Sequence, residues 1–307
     1  MKSVPERIKE FVIYHKTGDG ECNGVLLKAW ADKNKLNKQE RFDLAYFYSL
    51  SYCIPSAILL LQRKKEITKD PKAFAAKHQK DLIFQSDRRY VKCNNAFEKM
   101  LIDYTANIRA DRFTQSVIKA GQLDFEKAME EVGKWYFFGR FGCFLFIETF
   151  GRLNGYKVST GSIMWKDGDT ATSGLMNLFG LDKSADYFDK TGKIPPNLSQ
   201  EKLDQLLHKV QAAIRKTGGV ESIAEVETSL CAYRKFYKGS RYNGYYLDRQ
   251  LEELNHYKGI SYTKDITKEL FALRRMLFNA KYLGEIGGWK GVRKECKTLY
   301  KRTGKTM

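Results

Sequence analysis

The sequence predicts a mainly α protein, arranged as two helical lobes around a shared cleft. Three observations carry that reading. Apolar residues recur at helical spacing through most of the chain, while the strict alternation of a half-buried strand is almost absent. Cap residues, an Asn, Ser or Asp followed by Glu or Pro, stand at the head of several of these segments. The 307 residues are 43% apolar and 13% aromatic, which supplies a core and excludes global disorder. The length exceeds one typical domain, so we divide the chain into an N-terminal helical lobe over 1–185 and a C-terminal basic lobe over 186–307, with one large helical domain as the alternative.

In chain order, Ser3 with Glu6 has capping-box spacing, and Ile8, Phe11 and Val12 follow at helical intervals up to the turn Thr17-Gly18-Asp19-Gly20. Asn37 and Glu40 repeat the signature before Phe42, Ala45, Tyr46, Ser49 and Leu50, a helix face that Pro55 should kink or interrupt. Leu59 to Leu61 are expected to be buried. Asp70-Pro71 is a cap and first turn for another helix, through Phe74 and His78. Residues 81–95 lack a clean period and present Arg88, Arg89 and Lys92 around Tyr90, either a solvated basic loop or a nucleic-acid contact.

Asp124 caps a helix bearing Phe125, Ala128, Met129 and Val132. Lys134 to Leu153 is the most apolar and aromatic stretch, so it reads as a buried helix or helix pair. Arg140 and Glu148 inside it are either buried ion-pair partners, for instance of each other, or residues pointing into a cleft. A loop holding Asp167 and Asp169 then feeds a short helix whose first turn collects Thr170, Thr172 and Ser173, which serves either capping or anion binding.

Asp182 to Ser199, polar and containing Pro195-Pro196-Asn197, reads as a linker. Leu203, Leu206, Leu207, Val210, Ala213 and Ile214 form an amphipathic helix stopped by Gly218-Gly219. A helix to Phe236, a glycine-containing turn to Gly244 and a second helix from Tyr246 through Leu254 follow. Leu270, Phe271, Leu273 and Leu277 mark one more helix before the basic tail that begins at Lys281.

The chain carries 54 Lys and Arg against 36 Asp and Glu, a net charge of +18, and favours polyanionic partners through counterion release. No apolar run approaches the roughly 20 residues of a membrane span, and the mean hydropathy is -0.50, so no membrane partner is expected. The six cysteines are far apart, without a CxxC pair or a preceding signal peptide, which predicts reduced thiols and a cytoplasmic protein. With His15, His78, His208 and His256 also scattered, no metal is expected. Neither GxGxxG nor GxSxG occurs, and Gly304-Lys305-Thr306 is no phosphate loop because Leu299 stands where its first glycine should be, so no cofactor is expected.

The densest functional signal runs from Glu225 to Arg249. Between Tyr233 and Arg249 it holds five cations (Arg234, Lys235, Lys238, Arg241, Arg249) and six aromatics, among them Tyr242, Tyr245 and Tyr246, with Asp248 as its one acid. Guanidinium and ammonium groups neutralise phosphate while rings stack on bases, so the pattern suits nucleic acid with an unstacked nucleotide. Arg234, Lys238, and Lys290 and Arg293 in the tail are candidate DNA contacts. Near those last two, Leu283 to Gly291 loosely resembles a helix-hairpin-helix turn, but the catalytic Asp that follows such a turn in the glycosylases is missing.

Four stretches carry a broader resemblance: Tyr14-His15-Lys16-Thr17-Gly18-Asp19, the run from Phe84 to Tyr90, Phe138-Gly139-Arg140-Phe141, and Glu227-Thr228-Ser229-Leu230-Cys231 through Tyr246-Leu247-Asp248-Arg249. Together they resemble the phage amino acid:DNA transferases that hypermodify thymine, also called α-glutamyl/putrescinyl thymine pyrophosphorylases, and the helical domain of 5-hydroxymethyluracil DNA kinases. The resemblance implies a helical fold distantly related to DNA glycosylases, working in the host cytoplasm on double-stranded DNA. It implies displacement of pyrophosphate from an activated 5-hydroxymethyluracil by an amino acid or polyamine. On that chemistry Arg88, Arg89, Arg140, Lys235 and Arg241 are candidates to stabilise the leaving pyrophosphate, and Asp248 and Glu227 to act as base. Tyr242, Tyr245 and Tyr246 could stack on an extruded base, Arg249 lies beside Asp248 in the substrate set, and Asp167 and Asp169 could meet the amine. A glycosylase-like or kinase-associated domain, or a non-catalytic helical DNA-binding module, remains the alternative.

Overall fold

In a computed structural model of the chain the described residues are 2–159, 169–219, 222–238 and 244–278. Among them sixteen α-helices accompany three strands of two or three residues, so the protein is mainly α. The strands form one small sheet. β1 (Ile118–Lys119) pairs antiparallel with β2 (Gln122–Asp124), which pairs in parallel with β3 (Lys157–Ser159). Ala120 and Gly121 turn the hairpin with φ of 48° and 76°, the left-handed pair that a two-residue connection favours.

The helix caps follow the sequence closely. Glu6 accepts from the backbone N–H of Ser3 at 2.7 Å, and Asn37 and Glu40 exchange bonds at 3.0 and 2.8 Å. Asp70 and Asp124 accept from Ala73 and Lys127 at 2.9 and 3.1 Å. Pro55 interrupts as expected: the helix Lys38–Ser51 ends at Tyr52 with φ 52°, and Pro55 sits in the first turn of Ile54–Gln62. Leu59 and Leu60 are buried and Leu61 is half-buried. No helix among the described residues is long and apolar enough to cross a membrane.

The chain divides into two compact units, each built from separated segments. The first takes Met1–Asn23, Thr160–Gln250 and Arg275–Met307; the second takes Gly24–Ser159 and Leu251–Arg274. In the first unit the helices Val4–Lys16, Asp169–Leu178, Asp182–Thr191, Gln200–Arg215 and Ile223–Tyr237 bury Phe11, Leu175, Phe188, Leu207, Leu230 and Tyr233 in one core. Asp169–Leu178 and Ile223–Tyr237 touch backbone to side, since a Cβ on Gly174 would lie 2.3 Å from the Leu230 carbonyl oxygen. Only glycine permits that approach.

The linker expected over 182–199 is corrected here. Its first half is the helix Asp182–Thr191, with Ala185 and Phe188 fully buried. Arg7, itself buried, pairs with Asp182 at 3.2 Å and lies 5.1 Å over the Tyr237 ring. Three apolar residues at helical spacing, Leu181, Ala185 and Phe188, outweigh the polar composition that suggested a linker.

The second unit is organised around aromatic rings. Phe42, Tyr46, Phe113, Trp135, Phe146 and Phe150 interlock, with Trp135 and Phe146 at 4.8 Å and 74°. Lys38–Ser51 and Arg140–Asn154 supply most of them, so the apolar stretch expected as buried helix over 134–153 enters the core as a helix only from Arg140 on; residues 134–139 are not helical and leave Tyr136 and Phe137 exposed. Glu148 pairs with Arg152 at 3.6 Å on the same helix.

Candidate active site

In the first unit the site grows from the turn after the first helix. Thr17 bonds back to the Tyr14 carbonyl at 2.7 Å, Gly18 takes φ 69°, and Asp19 is thereby turned inward, 1% exposed. Its carboxylate accepts the Tyr14 hydroxyl at 3.2 Å and the backbone N–H groups of Leu247 and Gly244 at 3.0 and 3.2 Å. These are donors at the start of the helix Tyr245–Lys258, which have no partner within their own helix, and the negative charge faces the positive end of its dipole. Burial, reinforced by Asp19, raises the Tyr14 phenol well above its usual range, so it stays a donor.

The helix Ile223–Tyr237 closes on the same turn. His15 Nδ1 lies 2.7 Å from Ser229 Oγ, and the Gly20 Cα carries no side chain where Thr228 and Ser229 come within 4 Å. Gln250 donates to the Cys22 carbonyl and to Asn23 Oδ1 at 3.2 and 3.1 Å. Residues 14–20, 227–231 and 244–250 therefore meet. Two of the proposed residues come with them: Glu227, adjacent to Thr228, and Asp248, adjacent to Leu247, both buried at 6% exposure.

Other predicted residues of this unit fall differently. Lys235, Tyr246 and Arg249 are half-buried. Arg234 is turned into the core: it is 4% exposed, hydrogen-bonded to Asn177, and ion-paired with Asp189 and, at 3.5 Å, Asp186. Lys238 shares Asp189 and reaches Asp186 at 3.6 Å. Burial alone would raise the Asp189 carboxyl, but bonds from Lys238, Ser173 and Arg234 hold it below the usual carboxylate range. Asp167, Arg241, Tyr242, Lys290, Arg293 and the Asp169 side chain lie outside the described residues, as do both glycine-rich tail stretches.

In the second unit Arg88 and Arg140 line one cavity of about 560 Å³ with Trp135, Phe137, Phe138 and Phe141. Arg88 is 4% exposed and donates to the carbonyls of Leu50 and Phe137, each at 3.3 Å, with its guanidinium 5.3 Å from the Phe138 ring. Arg140 opens the helix Arg140–Asn154 behind Gly139. Arg89 points the other way, exposed and stacked 4.8 Å over Tyr90. The 3₁₀ segment Ser86–Lys92 thus splits the basic cluster into one inward and one outward cation.

Asp19 stands within one of the four stretches above with no role attached to it, and Gln250, Trp135 and Phe137 have none either. Asp19 had a local signal, an acid directly after a turn glycine. Phe137 had another, an aromatic run closed by Gly133 and Gly139 and so too short to be one continuous helix.

The chain is a strongly basic, mainly helical protein with buried carboxylates in one unit and an arginine-lined aromatic cavity in the other, features that suit a polyanionic partner. Its sequence matches the family model described as amino acid:DNA transferase over residues 6–242, and the protein belongs to that family. It is a transferase that modifies DNA, with an amino acid as the other substrate. No curated protein matches the chain.

Proposed function

We propose that the protein replaces the pyrophosphate of an activated 5-hydroxymethyluracil in double-stranded DNA with an amine, from an amino acid or a polyamine. The amine nitrogen attacks the methylene carbon on C5 of the base and a C–N bond forms. The C–O bond to pyrophosphate breaks, its electron pair leaves with the oxygen, and the nitrogen's extra proton passes to a carboxylate. Asp248 and Glu227 are the acceptors, with Arg88, Arg140, Lys235 and Arg241 stabilising the departing charge; the outward stacking of Arg89 on Tyr90 weighs against the same part for it.

The observation that carries this reading is the meeting of residues 14–20, 227–231 and 244–250 around the buried Asp19 carboxylate. That convergence of stretches far apart in sequence supports a site at which a desolvated base would act. Tyr242, Tyr246 and Arg249 are assigned to the substrate nucleotide, Asp167 and Asp169 to the amine, and Arg234, Lys238, Lys290 and Arg293 to the DNA strand; the internal ion pairs of Arg234 and Lys238 weigh against those two as phosphate contacts.

Duplex DNA bearing pyrophosphorylated 5-hydroxymethyluracil, incubated with and without candidate amines and digested to nucleosides for mass spectrometry, tests the reaction. The expected result is an amine adduct and free pyrophosphate only when an amine is present. Abasic sites instead would assign the chain to base excision, and unchanged nucleoside would overturn the reading.

A further inference from the structure

We propose that the 560 Å³ cavity of the second unit is the seat of the extruded base, its aromatic wall stacking on the uracil ring and its arginines facing the anionic group that ring carries. The size falls inside the roughly 300–1,000 Å³ of small-ligand sites, and the cavity is open to solvent, so a nucleotide can reach it from the surface. The lining decides the occupant. Among the described residues its lining contains Arg88 and Arg140 and no acid, so it suits the anionic group of the base. Four rings, Trp135, Phe137, Phe138 and Phe141, share that lining, and a planar ring with an anionic substituent matches both features at once.

The rim supports the same occupant. Phe137 is 42% exposed and Tyr136 40%, with ring centroids 6.1 Å apart, in a unit that buries most of its aromatic rings. Phe137 also sits at φ 62°, in the left-handed region that a bulky side chain rarely adopts. Its surroundings hold it there: Arg88 Nη1 grips its carbonyl at 3.3 Å, the next amide, Phe138 N, bonds Trp135 O at 3.2 Å, and Tyr136 N bonds Asp103 Oδ2 at 2.9 Å. A ring presented to solvent on a constrained turn, beside a cation-lined cavity, is placed to enter or cap a base stack.

The proposal rests on the reading above in one respect, that the base carries a pyrophosphoryl group. Equilibrium binding of the full chain to three duplexes, with thymine, 5-hydroxymethyluracil or its pyrophosphate at one site and 2-aminopurine as neighbour, separates the two. The wild type should prefer the pyrophosphorylated duplex and raise 2-aminopurine fluorescence as the base leaves the stack. Phe137→Asn, whose new residue tolerates the left-handed backbone and so preserves the fold, should lose the fluorescence rise and about tenfold in affinity for the modified duplex. Arg140→Gln should keep the rise and lose about tenfold of the preference for the pyrophosphate form. Both variants should bind the thymine duplex within about twofold of wild type. If the wild type shows the preference and both variants keep it, the cavity is not the seat while the substrate stands. If the wild type shows no preference, the substrate assignment falls and this proposal with it.

Discussion

Leu247 donates its backbone N–H to the buried carboxylate of Asp19 at 3.0 Å, across 228 residues of chain. Through that bond the turn after the first helix fixes the turn of helix that begins with Tyr245 and carries Asp248. The geometry at Asp248 is therefore set by a residue that takes no part in the proposed proton transfer.

Asp19→Ala strands the Tyr14 hydroxyl and two backbone N–H groups in a buried place, so it should cost about 3 kcal/mol in urea unfolding. Asp19→Asn keeps one acceptor and should cost about half as much. Equal stability of the alanine variant and wild type would contradict this account.

Asp248→Asn and Glu227→Gln keep volume and remove the base. Single-turnover adduct formation should fall by about 10² to 10⁴ in whichever variant lacks the proton acceptor, with DNA affinity within about twofold of wild type. Full rates in both variants would move the proton acceptor elsewhere.

The ion pairs of Asp189 predict an acid limb in stability. Its carboxyl is lower in the folded chain than its ordinary 3.8, so the contribution is complete above that value and is lost as pH falls through the folded value. Arg234→Ala should cost about 3 kcal/mol at pH 7, the low end for a broken buried pair because Asp189 is 27% exposed. Thermal melts from pH 7 down to about 3 should show the gap between variant and wild type closing below about pH 4; a gap of constant size would rule out the pair as its cause.

Gly174→Ala places a methyl 2.3 Å from the Leu230 carbonyl oxygen, and the obstacle is backbone, which cannot rotate away. The two helices must part, at about 2–3 kcal/mol by chemical denaturation. An unchanged midpoint would mean that they already stand farther apart.

What the sequence revealed was whatever depends on neighbours in the chain. Ser3 with Glu6, Asn37 with Glu40, Asp70 and Asp124 cap helices within three residues, so their pattern is local. The hairpin at Ala120-Gly121 escaped because strands of two and three residues are too short to show a period. The helical face of Asp182–Thr191 was hidden under its charges. Arg234 reads as a surface cation among Lys235 and Lys238, yet it stands four residues after buried Leu230, and the helical period alone turns it inward. The segments of the candidate site were visible as motifs; their meeting around Asp19 was not, because no local pattern encodes a bond between residues 19 and 247.

That separation has a consequence for biogenesis. At translation speeds of roughly 5–20 residues per second, Asp19 emerges roughly 10–45 s before the amides it will hold. For most of that interval the face of the first helix that bears Phe11 and Tyr14 lacks its eventual covering, the Ile223–Tyr237 helix. Nascent chains stalled before residue 223 should be the species that chaperones retain.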